Sequence, residues 1–297
     1  MTLRYFDVWV ELAGHDAAVA GWVRESSGVV WSHRCRWADL AETLDGLEGV
    51  RDALDLDRDW TRRWAATWRY AGDEVVSPVR DLGSMPVAGC EPMRRFSWRR
   101  GQRHRPGLQF LVSTGRHHGF ESLEEARLLL ALDFAGDLVE VVGQPFRLRY
   151  GAGGGWRSHV PDFLADTVTG RWLIDVRPGS RVGAEDLVAF AASAEAALTA
   201  GWRYAVVTGW RAHVVATLDT LSAQRRTLTD RLGLVDGLLA GVAAGPRPLR
   251  ELVEDTVAPA VARAFLLHLV WHRRLGVDLG GPLGDRTLVC SGQDGSW

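Results

Sequence analysis

Residues 158–178 read SHVPDFLADTVTGRWLIDVRP, in which two apolar runs flank the short segment 167–170. The segment TVTG is long enough for a four-residue hairpin loop, and Gly170 can adopt the positive φ that such loops often need. The sequence therefore predicts an antiparallel β-hairpin with strands near 157–165 and 171–177. Because pairing across the loop fixes the register, it also fixes which side chains face each other.

The predicted register sorts the hairpin side chains into two faces. It places Asp166 opposite Arg171, and alternate residues along each strand then share a face. One face is wholly apolar and is the expected core face; it consists of Pro161, Phe163, Ala165, Trp172, Ile174 and Val176. The other face carries the charged residues; it consists of Asp162, Leu164, Asp166, Arg171, Leu173, Asp175 and Arg177.

The same register places two carboxylates, those of Asp162 and Asp175, opposite each other. Their Cβ atoms would lie roughly 5 Å apart, where like charges destabilise a sheet. A divalent cation such as Mg²⁺, which takes carboxylate oxygens as ligands, would offset this repulsion. A shared proton or a local salt bridge to Arg177 would also do so. Arg177 supplies positive charge on this face but cannot be deprotonated to act as a base.

An upstream segment, ESLEEARLLLALDF, predicts a helix over 121–133. Glu125 shares the apolar stripe expected to face the sheet, so it is either a third acidic ligand or the partner of Ser122 in a capping box. Glu121, one turn earlier, is the rival for the ligand role, whereas Glu124 can pair with Arg127. The stripe continues through Leu128, Leu129 and Leu132.

Composition limits the remaining possibilities. A chain of 297 residues suggests about two domains. Its three cysteines, Cys35, Cys90 and Cys290, lack paired spacing, which argues against a zinc site or a disulfide framework and favours a reducing cytoplasm. No apolar stretch predicts a membrane span or a secretory signal. Lysine is absent, so all 35 basic residues are arginine, against a net charge of −2.

The segment 94–105, RRFSWRRGQRHR, is strongly basic and contains no acidic residue. Arginines of this kind neutralise DNA phosphates, and the aromatic residues can stack on bases. The candidates for DNA contact are Arg99, Arg100, Arg103 and His104. A solvated linker between two domains is the alternative.

The element pattern divides the chain into three expected units. Residues 1–105 form an N-terminal α/β segment ending in the basic arm, with Trp60, Trp64 and Trp68 at helical spacing. Residues 106–215 predict a mixed sheet flanked by helices, with further strands near 108–114, 138–150 and 203–208 and a helix over 184–200. Residues 216–297 predict a winged-helix-like module that binds DNA or protein. Its predicted helices lie near 217–241, 247–256 and 259–275, before a hairpin over 277–289.

Three segments together resemble one known family. GRHHGFESLEEARLLLALDF, VVGQPFRLRY and HVPDFLADTVTGRWLIDVRP, in this order, resemble the TnsA-like endonuclease subunit of heteromeric cut-and-paste transposases, within the PD-(D/E)xK nuclease superfamily. The resemblance covers about residues 94–210. It implies a restriction-endonuclease-like fold and Mg²⁺-dependent cleavage of double-stranded DNA at transposon ends, with Mn²⁺ as a substitute metal.

The resemblance also implies roles for individual residues. Glu125, Asp162 and Asp175 fall on the family's metal ligands, and all three are expected to be catalytic. Arg177 stands where the family has a catalytic lysine, which is the main departure from the pattern. Gln144 belongs to a matching QPF element and either contacts the edge of the site or ends a strand.

His159 lies just before the PD element, Pro161-Asp162. We expect His159 to pack or to contact phosphate rather than to bind metal. The implied partners are a DDE-type transposase and an AAA+ ATPase regulator, and no membrane partner is expected. The expected location of the chain is the cytoplasm, at the nucleoid when it is bound to DNA. Two other interpretations stay open. The chain could be a weakened nuclease-fold subunit that binds DNA and scaffolds the transposase, or a repair or defence nuclease of the same fold.

Overall fold

A five-stranded mixed sheet lies at the centre of the computed structural model, which describes residues 28–94 and 106–292. Its order is β1-β12-β11-β10-β7, and a second sheet has the order β3-β2-β8-β9 with β4 attached to β2. The strands are β1 (Ala41–Thr43), β2 (Ala65–Tyr70), β3 (Asp73–Pro78), β4 (Cys90–Glu91), β5 (Gly107–Leu111), β6 (Arg116–Phe120), β7 (Leu138–Gly143), β8 (Phe146–Ala152), β9 (Gly155–His159), β10 (Phe163–Thr167), β11 (Gly170–Val176), β12 (Arg203–Trp210), β13 (Arg247–Pro248), β14 (Leu275–Val277) and β15 (Leu288–Ser291).

The helices pack against these sheets or form the C-terminal part of the chain. They are α1 (Trp60–Arg63), α2 (Leu123–Ala135), α3 (Ala184–Thr199), α4 (Val214–Ser222), α5 (Leu234–Gly241), α6 (Leu249–Glu254) and α7 (Pro259–Trp271). Short 3₁₀ turns connect several elements. No helix in residues 28–94 or 106–292 combines the length and apolar character needed to cross a membrane.

The predicted hairpin is present as β10 and β11. Asp166 pairs with Arg171 and Phe163 with Ile174, so the predicted register is confirmed. The loop is shorter than expected, because Thr167 already pairs with Gly170, whose φ is 132°. The strand β11 then runs parallel to β12, and α3 supplies the crossover between them.

Both faces of the central sheet are buried, whereas one apolar face was expected. Phe163, Ala165 and Ile174 pack against α2, as predicted. Leu164 and Leu173, on the face assigned to the charged residues, lie in a second core with α3 and the second sheet. Parallel pairing explains the difference, because a crossover helix covers the face that a simple hairpin would leave exposed.

Two predicted strands each divide between the two sheets. The predicted strand over 138–150 breaks at Gln144 into β7 and β8, and the one over 157–165 breaks into β9 and β10. Gln144 has a φ of 49°, in the left-handed region, which ends the extended backbone there. These two breaks carry the chain from the central sheet to the second sheet and back.

The helix predicted from the tryptophans is wrong beyond its first turn. Only Trp60–Arg63 is helical, and Trp68 lies in β2. Trp64, Ala66 and Trp68 are all fully buried and alternate with more exposed residues. A spacing of four residues also fits a strand, whose period is two, so the tryptophans alone could not separate the two structures.

The N-terminal segment and the middle of the chain share both sheets. The strand β1 pairs with β12 of the central sheet, and β2 pairs with β8 of the second sheet. The predicted boundary at residue 105 therefore separates segments whose strands are hydrogen-bonded to each other.

The C-terminal region, as far as residue 292, contains four helices and a small sheet. The helix predicted over 217–241 is two helices, α4 and α5, and the predicted hairpin is a pairing of β14 with β15. Their sheet has the order β13-β15-β14. The apolar core of this region also includes Phe134 of α2 and Val30, so it is continuous with the rest of the protein.

Arg273 connects this region to two distant segments. Its guanidinium donates to the carbonyl oxygens of Cys35 (2.8 Å), His33 (3.2 Å) and Ala135. Ala135 is the last residue of α2, so the arginine satisfies a carbonyl that the helix leaves free. The cation also complements the negative end of that helix.

We expect Arg273→Gln to lower the free energy of unfolding by about 2–4 kcal/mol, because charged donors to several carbonyls are lost together. Urea denaturation followed by tryptophan fluorescence measures this change. Arg274→Gln is the matched control, since Arg274 is adjacent and exposed. Equal stability of the two variants would show that the contacts of Arg273 contribute nothing specific.

Candidate active site

Asp175 lies in β11 and is only 1% exposed. His159 Nε2, at the end of β9, donates to its Oδ1 (2.8 Å), and the Tyr204 hydroxyl of β12 donates to its Oδ2 (2.7 Å). Burial alone would lower the pKa of His159, but the charge and hydrogen bond of Asp175, together with the charges of Asp162 and Asp186, outweigh it and the pKa is raised. Burial and the same charge raise the pKa of Tyr204 well above its usual value. The buried carboxylate is thus held by residues from both sheets.

Asp162 lies one position beyond the pair of Phe163 and Ile174, at the start of β10. Its Oδ2 accepts a hydrogen bond from the Val176 amide (2.7 Å). Burial raises the pKa of Asp162 well above its usual range, and the charges of Asp175 and then Glu125 raise it further. The predicted crowding of negative charge is therefore present, and it includes a third carboxylate, that of Glu125.

Glu125 forms the capping interaction that the sequence allowed. Ser122 Oγ accepts from the Glu125 amide (3.2 Å), and Glu125 Oε1 accepts from the Ser122 hydroxyl (2.8 Å). Its Oε2 accepts from the amide of Glu121 (2.8 Å) where the Ser122 amide was expected. Glu124 pairs with Arg127 as predicted. Glu125 thus caps α2 and still lies near enough to act electrostatically on Asp162.

Arg177 follows β11 and points to solvent beside the start of α3. It forms an ion pair with Asp186 (3.2 Å) and donates to the carbonyl oxygen of Arg181 (3.3 Å). Among the described residues, no ion pair joins Arg177 to Asp175. The salt bridge to Arg177 that could have offset the repulsion between the two aspartates is therefore not formed with Asp175. Its guanidinium is held at the rim of the site.

Gln144 contacts the site through its main chain. Its amide donates to the carbonyl oxygen of Asp162 (2.7 Å), and its carbonyl accepts from the amide of Met93 (2.9 Å). It therefore both ends a strand and touches the edge of the site. Its side chain is buried, and Oε1 has no hydrogen-bond partner among the described residues. The predicted DNA contacts Arg99, Arg100, Arg103 and His104 lie outside the described residues.

The donors at this site match a divalent cation in type but are not gathered into a preformed cage. In residues 28–94 and 106–292 no group of three or more His, Cys, Asp or Glu side chains is arranged to hold a metal ion. However, each carboxylate oxygen has two lone pairs, so a hydrogen-bonded oxygen can still bind a cation. Ligating carboxylates are commonly hydrogen-bonded in this way. Oxygen donors of Asp162, Asp175 and Glu125 therefore fit Mg²⁺ or Mn²⁺ by their chemistry.

Two residues of the site were missed from the sequence. Tyr204 is placed by the parallel pairing of Leu173 with Tyr204, which the β11–α3–β12 crossover could have indicated. Asp186 accepts from the amide of Gly183 (2.9 Å) at the start of α3 and also holds Arg177. An acidic residue in the first turn of a helix is a common signal for such a contact.

The chain matches no model of a known protein family, and a search of characterised proteins finds no relative of significant similarity.

We expect Asp162→Asn to stabilise the protein at neutral pH without divalent cations, by up to about 1 kcal/mol, as a pair of like charges is removed. A raised folded-state pKa means that wild-type stability is full below the unfolded pKa and falls as pH rises through the folded value. The gain should therefore be small near pH 4 and grow toward pH 7. Thermal denaturation across this range measures it.

The matched control is Asp166→Asn, on the same face but paired with Arg171. This variant should be no more stable than wild type at any pH. A gain for Asp166→Asn equal to that for Asp162→Asn would contradict the charge crowding at Asp162.

Proposed function

We propose that the chain is a divalent-cation-dependent DNA endonuclease, a TnsA-like subunit of the PD-(D/E)xK superfamily. The observation that supports this most directly is the raised pKa of Asp162, caused by burial and by the charges of Asp175 and Glu125. Carboxyl groups with strongly perturbed pKa values cluster at functional sites, and a bound cation would compensate the repulsion that Asp175 and Glu125 exert on Asp162. These are also the three positions that the family resemblance assigns to metal ligands.

The architecture supports the fold part of the proposal. A mixed sheet with a hairpin, a parallel crossover and helices α2 and α3 on opposite faces is compatible with a restriction-endonuclease-like fold. In the C-terminal region, helix α5, strand β13, helices α6 and α7 and strands β14 and β15 follow the element order of a winged helix. We propose that this region is the winged-helix-like module.

The proposed reaction is hydrolysis of a phosphodiester bond. A bound Mg²⁺ would supply an activated water and neutralise charge on the leaving oxygen. Asp162 is oriented by the Val176 amide, and Asp175 is oriented by His159 and Tyr204, so neither carboxylate needs to reorganise. Arg177 at the rim would stabilise charge on the scissile phosphate.

The biological setting rests on the resemblance alone. It comprises double-stranded DNA at transposon ends, a DDE-type transposase that processes the other strand, and an AAA+ ATPase regulator. The expected location is the cytoplasm, at the nucleoid when DNA is bound.

We expect Asp162→Ala and Asp175→Ala to reduce Mg²⁺- or Mn²⁺-dependent nicking of supercoiled DNA by about 100-fold or more, since the groups that act on the reacting phosphate are lost. The fold should persist in circular dichroism spectra. Asp166→Ala, on the same face of the hairpin, is the control and should cleave normally. Undiminished cleavage by Asp162→Ala would refute the assignment.

The second candidate function is a DNA-binding scaffold with weakened catalysis. The ion pair between Arg177 and Asp186 favours it, because the cation in the family's lysine position is engaged elsewhere. Arginine also cannot supply the proton transfer available to a lysine of lowered pKa.

Arg177→Lys separates these two functions. If the chain is a working nuclease, both forms should cleave at rates within about tenfold, because either side chain supplies charge near the phosphate. If the scaffold interpretation holds, wild type should be nearly inactive and the lysine variant should gain activity strongly. Single-turnover cleavage with Mn²⁺ measures both forms, with Arg181→Lys as a neighbouring control.

A further inference from the structure

Two histidines lie side by side at the C-terminal end of helix α7. His268 is in the last turn of the helix, and His272 is the residue that ends it. Residues four positions apart are neighbours on one face of a helix, and here the two ring centroids are 4.3 Å apart. His268 is half-buried and His272 is exposed, so the pair can be reached from solvent.

Each ring is held by one hydrogen bond to the loop that follows helix α4. His268 Nδ1 donates to the carbonyl oxygen of Gln224 (2.7 Å), and His272 Nε2 donates to that of Arg225 (3.0 Å). A carbonyl oxygen can only accept, so these two ring nitrogens carry the hydrogen atoms. In the neutral rings the other two nitrogens therefore have lone pairs. Among the described residues, neither His268 Nε2 nor His272 Nδ1 forms a hydrogen bond.

This pattern of hydrogen bonds is the usual one for histidines that bind metal ions. Such a histidine commonly donates the hydrogen of one ring nitrogen to a carbonyl group, which fixes the tautomer and the orientation of the ring, and binds the metal through the other. Here two consecutive residues, Gln224 and Arg225, supply both carbonyl groups. The loop 223–233 between α4 and α5 thus orients two neighbouring rings, each with an available lone pair.

The electrostatics of the pair favour a metal ion over a second proton. Burial lowers the pKa of His272 and the charge of His268 lowers it further, and together they outweigh the hydrogen bond to Arg225 and the charge of Asp133. The two rings therefore resist being protonated together. The negative end of the α7 dipole favours a cation at this place, and so does the charge of Asp133.

The identity of the ligands selects the class of metal. Imidazole nitrogen suits Zn²⁺, Cu²⁺ and Ni²⁺, whereas Mg²⁺ prefers oxygen ligands. The acidic cluster around Asp162 has the opposite preference, because its donors are carboxylate oxygens. A nitrogen-preferring cation and a magnesium ion would therefore be sorted between the two places by their chemistry.

We propose that His268 and His272 form a two-histidine site for a divalent cation that prefers nitrogen ligands, such as Ni²⁺, Cu²⁺ or Zn²⁺. The protein ligands are His268 Nε2 and His272 Nδ1, and water fills the remaining positions. A bound ion would also hold the loop 223–233 against α7, because it fixes the two rings that donate to that loop. The site does not depend on the proposed nuclease function.

Isothermal titration calorimetry with Ni²⁺, on the full-length protein in excess Mg²⁺, tests the site. His268→Gln and His272→Gln should each weaken Ni²⁺ binding about 10-fold or more, since even the loss of a hydrogen bond that only orients a metal ligand has an effect of this size. Ni²⁺ should also raise the midpoint of thermal denaturation of wild type but not of these variants. Thermal denaturation in EDTA shows that the variants are folded.

His117→Gln is the matched control. His117 is also exposed, but its ring packs against Phe110 instead of a second histidine. This variant should bind Ni²⁺ as wild type does. Asp162→Ala should do so too, because the acidic cluster supplies no nitrogen ligand of the proposed site.

Electron paramagnetic resonance of bound Cu²⁺ examines wild type without relying on a substitution. The spectrum should show coupling to the nitrogens of two imidazole rings, and His272→Gln should lose part of this coupling. A wild-type spectrum without imidazole coupling would overturn the site. Absence of Ni²⁺ binding by wild type, or unchanged affinity in both His268→Gln and His272→Gln, would overturn it as well. A loss in Asp162→Ala as large as in His272→Gln would place the ion at the acidic cluster and contradict the proposal.

Discussion

The hydrogen bonds to the buried carboxylate of Asp175 fix the arrangement of the candidate site. His159 reaches it from the second sheet, and Tyr204 reaches it from the neighbouring parallel strand of the central sheet. A buried charge without partners would cost several kcal/mol, so these donors are needed for the fold as well as for any chemistry. Because they come from both sheets, the orientation of Asp175 depends on the chain breaks that carry the strands from one sheet to the other. The site and the two-sheet architecture therefore stabilise each other.

Local pairing was predictable from the sequence, whereas contacts between distant elements were not. The register of β10 and β11 followed from the alternation of apolar residues around a short loop. Its continuation predicts Asp162 opposite Asp175, and the charge of Asp175 does raise the pKa of Asp162. The capping interaction of Ser122 with Glu125 followed from their spacing. In both cases the decisive contacts join residues close in the chain, so sequence spacing carries the information.

Tyr204 escaped prediction because its contact with Asp175 depends on the exact parallel register of β11 and β12, whereas the contacts of Asp186 are local to the start of α3. The parallel register of β11 and β12 is fixed by packing of that helix, which periodicity does not encode. The helix predicted through Trp64 and Trp68 was wrong for a related reason, since a spacing of four residues fits both a helix face and a strand face. Packing of both tryptophans in the core that the second sheet shares with α3 selects the strand. Tertiary packing thus selected among structures that the local pattern left equally possible.

The absence of lysine shapes the proposed chemistry. Arginine stays protonated at every physiological pH, so Arg177 can neutralise charge but cannot take a proton from water. Its ion pair with Asp186 also keeps it at the rim, whereas the carboxylates lie deeper, near His159 and Tyr204. Positive charge at the rim and negative charge inside is the arrangement expected where an anionic phosphate must approach a carboxylate cluster. In the proposed reaction Arg177 would attract and orient the phosphate, and the carboxylate end of the site would activate the water.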